Sequence, residues 1–284
     1  MSGPRTGWRR RVRRRGRARA VILAAVVFAS VLPLAWTIFA SVGIHPNNTS
    51  TPPTWTLAPT LDAYREVGTA ERGFWDEMAA SAATSAASTL VTILIAFLAA
   101  YAFVHSTMRR KALLMQGFLV LASLPVMAYA IPLEDTVRAL GLHDTFAGLV
   151  LTQAAIFAPL AVYVLYGYLS EASFDFEEAA RLDGASPWRT ISQVVLPMNA
   201  PGVVATAIVI FVLCWNSFLA PLVVTTSRVR TIPLAMSDFF TVDRELEWPS
   251  AAAALVVTLL PLAAVVALSH RTLRRFLLGR FDIS

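Results

Sequence analysis

Six apolar runs, each about the length of a membrane crossing, leave little of this 284-residue chain for a water-soluble core. They lie near Ala20–Val42, Ala82–Val104, Ala112–Leu133, Ala147–Leu169, Val203–Thr225 and Ser250–Ser269. At about 1.5 Å of rise per residue, each covers the roughly 30 Å of bilayer hydrocarbon. Lipid offers no partner to a backbone amide, so such runs must satisfy themselves as helices. Composition agrees: 56% of residues are hydrophobic and 15% charged, where a soluble domain carries about a quarter charged. The expected fold is an all-α integral membrane protein with six transmembrane helices.

Basic residues set the orientation. With the amino terminus in the cytoplasm, the inner segments hold the nine arginines from Arg5 to Arg19, Arg109, Arg110, Lys111, Arg181, Arg189, Arg271, Arg274, Arg275 and Arg280. Outside remain Arg65, Arg72, Arg138, Arg228, Arg230 and Arg244, six of the 24. The reading is a basic cytoplasmic tail over 1–19, a transmembrane region over 20–269 and a second cytoplasmic tail over 270–284. The run Arg9–Arg15 is expected to be a disordered tail touching anionic membrane lipid, and no nucleic-acid partner is expected. The first apolar run exceeds the core of a cleaved signal, about 7–15 residues, and reads as a retained span.

Several chemistries are missing. The single lysine, Lys111, follows Arg110 rather than a glycine, so no phosphate-cradling loop is present. If ATP drives this protein, a separate subunit hydrolyses it. No nucleophile elbow or zinc-protease helix occurs, and the chain is not expected to be an enzyme. Cys214 is alone, and His45, His105, His143 and His270 are scattered, so neither metal nor cofactor is expected. The spans carry no central Asp, Glu, Lys or Arg, which argues against an ion-coupled carrier. Gln153 and Asn216 are the milder polar groups inside them. Asn216 has two readings: a helix–helix hydrogen bond, worth about 0.6 kcal/mol in membranes, or a group on a solute path.

Between the fourth and fifth spans lies a polar island, about 174–201, too patterned for a plain connector. It holds Glu178-Ala179-Ala180-Arg181-Leu182-Asp183-Gly184-Ala185, then Leu196-Pro197 and Pro201. Asp183-Gly184 signals a turn. Ser186-Pro187 reads as an N-cap followed by proline at the first helical position. Trp188, Ile191 and Val195 recur at helical spacing. The expectation is a cytoplasmic helix, a glycine turn and a second helix, offering an apolar and acidic surface to a protein partner.

This island resembles the EAA loop of the membrane subunits of ATP-binding-cassette importers, with Ile191 and Met198 where the family commonly has phenylalanine and leucine. The rest is similar to carbohydrate-importer permeases of the six-span, maltose type. Pro33-Leu34-Ala35-Trp36, Leu61-Asp62-Ala63-Tyr64, Ala99-Ala100-Tyr101-Ala102, Gly141-Leu142-His143-Asp144-Thr145, Trp215-Asn216-Ser217-Phe218 and Arg230-Thr231-Ile232-Pro233-Leu234 follow in family order. Ser217 stands where many sugar permeases have an acid. The resemblance implies that Glu178, Ala179, Ala180, Asp183, Gly184, Ala185, Leu196 and Pro197 couple the chain to an ATPase, with Gly184 placed where a side chain would collide. It implies an ATP-binding subunit dimer, a second permease subunit and an extracytoplasmic solute-binding protein as partners, in a bacterial inner membrane. A sugar or oligosaccharide is the implied cargo. A polyamine, phosphate or peptide importer, and more remotely an ion-coupled carrier or a membrane scaffold, remain as alternatives.

Overall fold

The computed structural model describes residues 6–47, 52, 54–69, 73–237 and 248–279; Arg5, Arg72, Arg244 and Arg280, counted above, lie outside them. The chain divides into two compact units, residues 1–69 with 242–257 and residues 70–241 with 258–284.

The first unit opens with α1, Thr6–Ser41. The helix continues through 6–19, where a disordered tail was expected. It gives way to a two-stranded antiparallel hairpin, β1 (Ile44–Asn47) and β2 (Thr54–Leu57), in which Ile44 faces Leu57 and Asn47 faces Thr54. The short helix α2, Asp62–Gly68, follows. Its Tyr64 hydroxyl meets Ser41 Oγ at 2.7 Å, tying it to the end of α1. Ser250, in the early part of the last helix (Trp248–Gly279), donates to Glu66 at 2.5 Å.

The second unit is built on three long helices. The first is α3, Phe74–His105, eight residues longer at its start than the apolar run suggested. Asp76 and Glu77 in its first turn suit the positive end of the helix dipole. After α4, Lys111–Ser123, the chain breaks at Leu124-Pro125 and resumes as a 3-10 turn, Val126–Tyr129, and α5, Ala130–Ala139. The two arms of this third run differ by 95°. Proline disfavours helical backbone in the residue before it, and Leu124 is extended at ψ 131°. The third apolar run, expected as one span, is therefore a bent pair.

The second long helix, α6, spans Phe146–Ser170; α7 (Asp175–Leu182), α8 (Pro187–Thr190) and α9 (Leu196–Met198) belong to the polar island. The third, α10, covers Ala200–Trp215, followed by short helices α11 (Leu219–Val224) and α12 (Ile232–Met236). The fifth run is thus interrupted at Asn216–Phe218, short of the continuous span to Thr225 that was expected. The last helix is α13, Trp248–Gly279.

Among the described residues, four helices are long and apolar enough to cross a membrane, and counting each bent pair as one crossing gives six. The core lies where α3, α6 and α10 meet, around Ala96, Ala100, Ala161, Leu165, Ile210 and Cys214. Small residues permit close helix approach where lipid supplies no hydrophobic force: Ser81, Thr84, Ser85, Ser88 and Thr92 form a buried stripe along α3. Gly202 does the same on α10, since a Cβ there would lie 2.3 Å from the Tyr168 ring of α6. Two polar groups inside the bundle bridge separate elements. Gln153 accepts from Ser88 Oγ at 2.8 Å and donates to the Cys214 carbonyl at 3.3 Å. Ser81 Oγ accepts the Ile232 amide at 2.7 Å, fixing the start of α12 against α3.

Candidate functional site

The polar island folds as a helical hairpin. At its entry, Ser173 Oγ accepts the Asp175 amide at 3.3 Å and donates to the Asp175 carboxylate at 2.8 Å. Asp175, Glu177 and Glu178 fill the first turn of α7, where anions complement unpaired amides. At its exit the Gly184 amide donates to the Arg181 carbonyl and the Ala185 amide to the Ala180 carbonyl, each at 3.0 Å. Gly184 sits between them at φ +80°. This is a Schellman closure, and it gives the motif spacing a physical meaning. The second alanine of Glu-Ala-Ala and the alanine of Asp-Gly-Ala are the two ends of one hydrogen bond.

Gly184 differs from expectation in one respect. A Cβ added there meets nothing within 4 Å, so no neighbour in this chain would collide with a side chain. The glycine is required by its left-handed backbone. Beyond it, Ser186 caps α8 by accepting the Arg189 amide at 3.4 Å, and Pro187 takes the first position, as the sequence predicts.

A π-helical turn, Ile191–Val195, then leads into Leu196-Pro197. Proline cannot donate and its ring crowds the carbonyl four residues back, and the wider turn relieves that crowding. The Asn199 side chain returns to the Val195 carbonyl at 2.8 Å. Pro187–Met198 and Ala200–Trp215 differ by 77° here, a kink with a proline cause. Leu196 and Pro197 lie at this bend, away from the hairpin tip.

The hairpin has two unlike faces. Glu178, Ala179, Asp183 and Gly184 are exposed, with Ala180 and Ala185 partly so. Around them stand Phe176, Leu182 at 89% exposure and Trp188 at 68%. Exposed apolar groups at this density mark interaction surfaces. The opposite face is anchored: Ile191 and Val195 join the α3–α6–α10 core.

Sequence reasoning passed over Glu177, the buried carboxylate of the hairpin. Its Oε2 accepts from the Tyr101 hydroxyl at 3.1 Å and lies 2.9 Å from His105 Nε2, both on the last turn of α3. No local pattern marks this, because the partners stand 76 and 72 residues away. Asn216 is the C-cap of α10, its side-chain amide donating to the Val212 carbonyl at 2.8 Å and exposed. The structure thus gives it a local bond within its own helix rather than one between helices.

Residues 92–278 match the family described as binding-protein-dependent transport system inner membrane component. The chain belongs to that family. Over 259 residues it is 33% identical to the trehalose transport system permease protein SugB of Mycobacterium tuberculosis, covering 89% of this chain and 92% of the relative. The sulfoquinovosyl glycerol transport system permease protein SmoH of Agrobacterium fabrum is 29% identical over 88% of both chains. The fold matches a chain of a bacterial ABC transporter that imports the acidic polysaccharide alginate, with TM-score 0.75 at 17% identity, over 95% of this chain and 99% of that one. The chain is a multi-pass membrane protein and a transport component.

Proposed function

We propose that this chain forms half of the translocation pathway of an ATP-binding-cassette importer for a sugar or oligosaccharide. The observation that carries the reading is the hairpin's exposed face, where Glu178 and Asp183 stand beside Leu182 and Trp188 on a support anchored in the core. Glu178, Ala179, Ala180, Asp183, Gly184 and Ala185 form the seat for a cleft of the ATP-binding subunit, and Leu196-Pro197 set the angle at which that seat joins α10. ATP is hydrolysed by a dimer of those subunits, outside this chain. A second permease completes the pathway, and a solute-binding protein outside the membrane delivers the cargo.

The excess of basic residues supports both termini and the hairpin in the cytoplasm of an inner membrane. Names of relatives that carry trehalose and sulfoquinovosyl glycerol support a glycoside as cargo. Asn216, exposed where α10 ends, is the candidate group on the solute path.

Movement follows from docking. When ATP draws the two ATP-binding subunits together, each hairpin travels with its cleft and turns the attached helices between two discrete arrangements. The test is uptake of labelled glycosides by liposomes holding the full importer. Proline locks φ near −65°, so Gly184→Pro is expected to abolish uptake while the chain still inserts. Normal uptake by that variant would end the docking reading.

A further inference from the structure

Glu177 and Glu178 are neighbours in sequence and opposites in placement: one is buried against α3, the other exposed on the docking face. The last turn of α3 is a node shared by three elements. Lys111, at the start of α4, folds back so that Nζ donates to the carbonyls of Phe103, Val104 and Ser106 at 3.4, 3.1 and 3.1 Å. That satisfies carbonyls a helix end leaves open and sets a cation at the negative end of the dipole. On the same turn, His105 Nδ1 faces the Tyr101 carbonyl at 3.1 Å while Nε2 faces Glu177. A carbonyl thus faces one ring nitrogen and a carboxylate the other, so each nitrogen has an acceptor within reach. Phe174 packs edge-on against the His105 ring with centroids 5.4 Å apart. The Arg181 guanidinium stands 3.8 Å from the same carboxylate oxygen. No other hairpin carboxylate among the described residues is buried.

We propose that Glu177 is a positioning residue for transport: through Tyr101 and His105 it ties the docking helix α7 to the end of α3, so that displacement of the hairpin reaches α3 directly. The proposal rests on the docking reading above. The chain itself joins the hairpin to α6 and α10, and Ile191 and Val195 also pack into the core that those helices share with α3. The long helix α3, which carries the buried polar stripe, is reached only across space.

The test uses the complete importer, with its ATP-binding subunits, second permease and binding protein, in liposomes, and reads solute taken up per ATP hydrolysed. Glu177→Gln is expected to co-purify with the ATP-binding subunit as the wild type does. Its uptake per ATP should fall about fivefold or more, the low end of ordinary coupling between sites. Glu177→Asp should recover part of the ratio. His105→Gln should lower it as well, and the Glu177→Gln/His105→Gln double variant should fall no further than the worse single one.

An unchanged ratio in Glu177→Gln, or losses that add in the double variant, would overturn the proposal. Should Glu177→Gln reduce the amount of assembled complex, Tyr101→Phe/His105→Gln carries the test with α7 unaltered, and an unchanged ratio there overturns it equally. Failure of the docking reading looks different: Gly184→Pro would then still co-purify with the ATP-binding subunit and transport normally.

Discussion

Asp144 Oδ1 accepts the backbone amide of Thr226 at 2.9 Å, joining two loops 82 residues apart. The amides of Ser227 and Arg228 converge on the same carboxylate, each at 3.2 Å, and the Asp144 amide donates to the Val224 carbonyl at 2.9 Å. The turn before α6 thereby holds the segment after α11. Asp144 adopts φ +56° to do so, a conformation that Asp and Asn tolerate better than most residues.

That geometry carries a pH dependence. The Thr226 amide, with those of Arg228, Ser227 and Val229, holds the Asp144 carboxyl below its ordinary 3.8, against a smaller opposing effect of desolvation. A carboxylate whose folded value is depressed stabilises the fold above the unfolded value, and that contribution disappears as pH falls through the folded one. Wild-type protein in detergent should therefore lose thermal stability below about pH 4 more steeply than Asp144→Asn. The asparagine keeps the backbone preference and removes the charge. Parallel melting curves for the two proteins down to strong acid would refute this.

Gly184 offers a graded test. The Schellman closure needs a left-handed residue, which costs a residue with a Cβ roughly 1–2 kcal/mol, while asparagine tolerates it better. Uptake should rank Gly184 first, then Gly184→Asn, Gly184→Ala and Gly184→Pro. Because a Cβ at this position meets nothing within the chain, the alanine variant should assemble in normal amounts. If Gly184→Asn instead lost more uptake than Gly184→Ala, crowding by the docked partner would outweigh backbone strain.

Local signals were legible where the cause was local. The Ser186 cap, Pro187 and the Gly184 turn each depend on neighbours within five residues, and each appears where the pattern predicts. The first, second, fourth and sixth apolar runs became helices, although α1 and α3 start well before the expected residues and α13 runs on to Gly279. Hydropathy does not register bends: Leu124-Pro125 and Asn216 sit inside apolar stretches, so the third and fifth runs read as continuous and are broken. Glu177 was invisible for another reason. Its role exists only once α3 and α7 meet, and no spacing in either segment announces that meeting.

Gln153 separates packing from transport. It bridges Ser88 to the Cys214 carbonyl, at the end of α10, and the same carbonyl also accepts the Ser217 amide at 3.2 Å. Removing Gln153 therefore orphans little. Bonds of this kind in membranes average about 0.6 kcal/mol and reach about 1.7. Gln153→Leu should lower the melting temperature by a few degrees, with Ser88→Ala non-additive to it, and leave the apparent affinity for solute unchanged. A shift in that affinity without loss of stability would place Gln153 on the solute path.

The docking surface can be tested without touching the hairpin backbone. Leu182 and Trp188 are the most exposed apolar side chains of the island, and interface energy concentrates in a few such anchors, with losses of about 2 kcal/mol or more on truncation. Leu182→Arg should do more than remove an anchor. It places a second cation next to Arg181, on the exposed face of the hairpin. Co-purification with the ATP-binding subunit should fall by at least about thirtyfold for Leu182→Arg, the equivalent of those 2 kcal/mol, and less for Trp188→Ala. Both variants should insert and melt as the wild type does, because neither side chain belongs to the α3–α6–α10 core. Retention of the ATP-binding subunit by both would mean that the hairpin's apolar face meets something else.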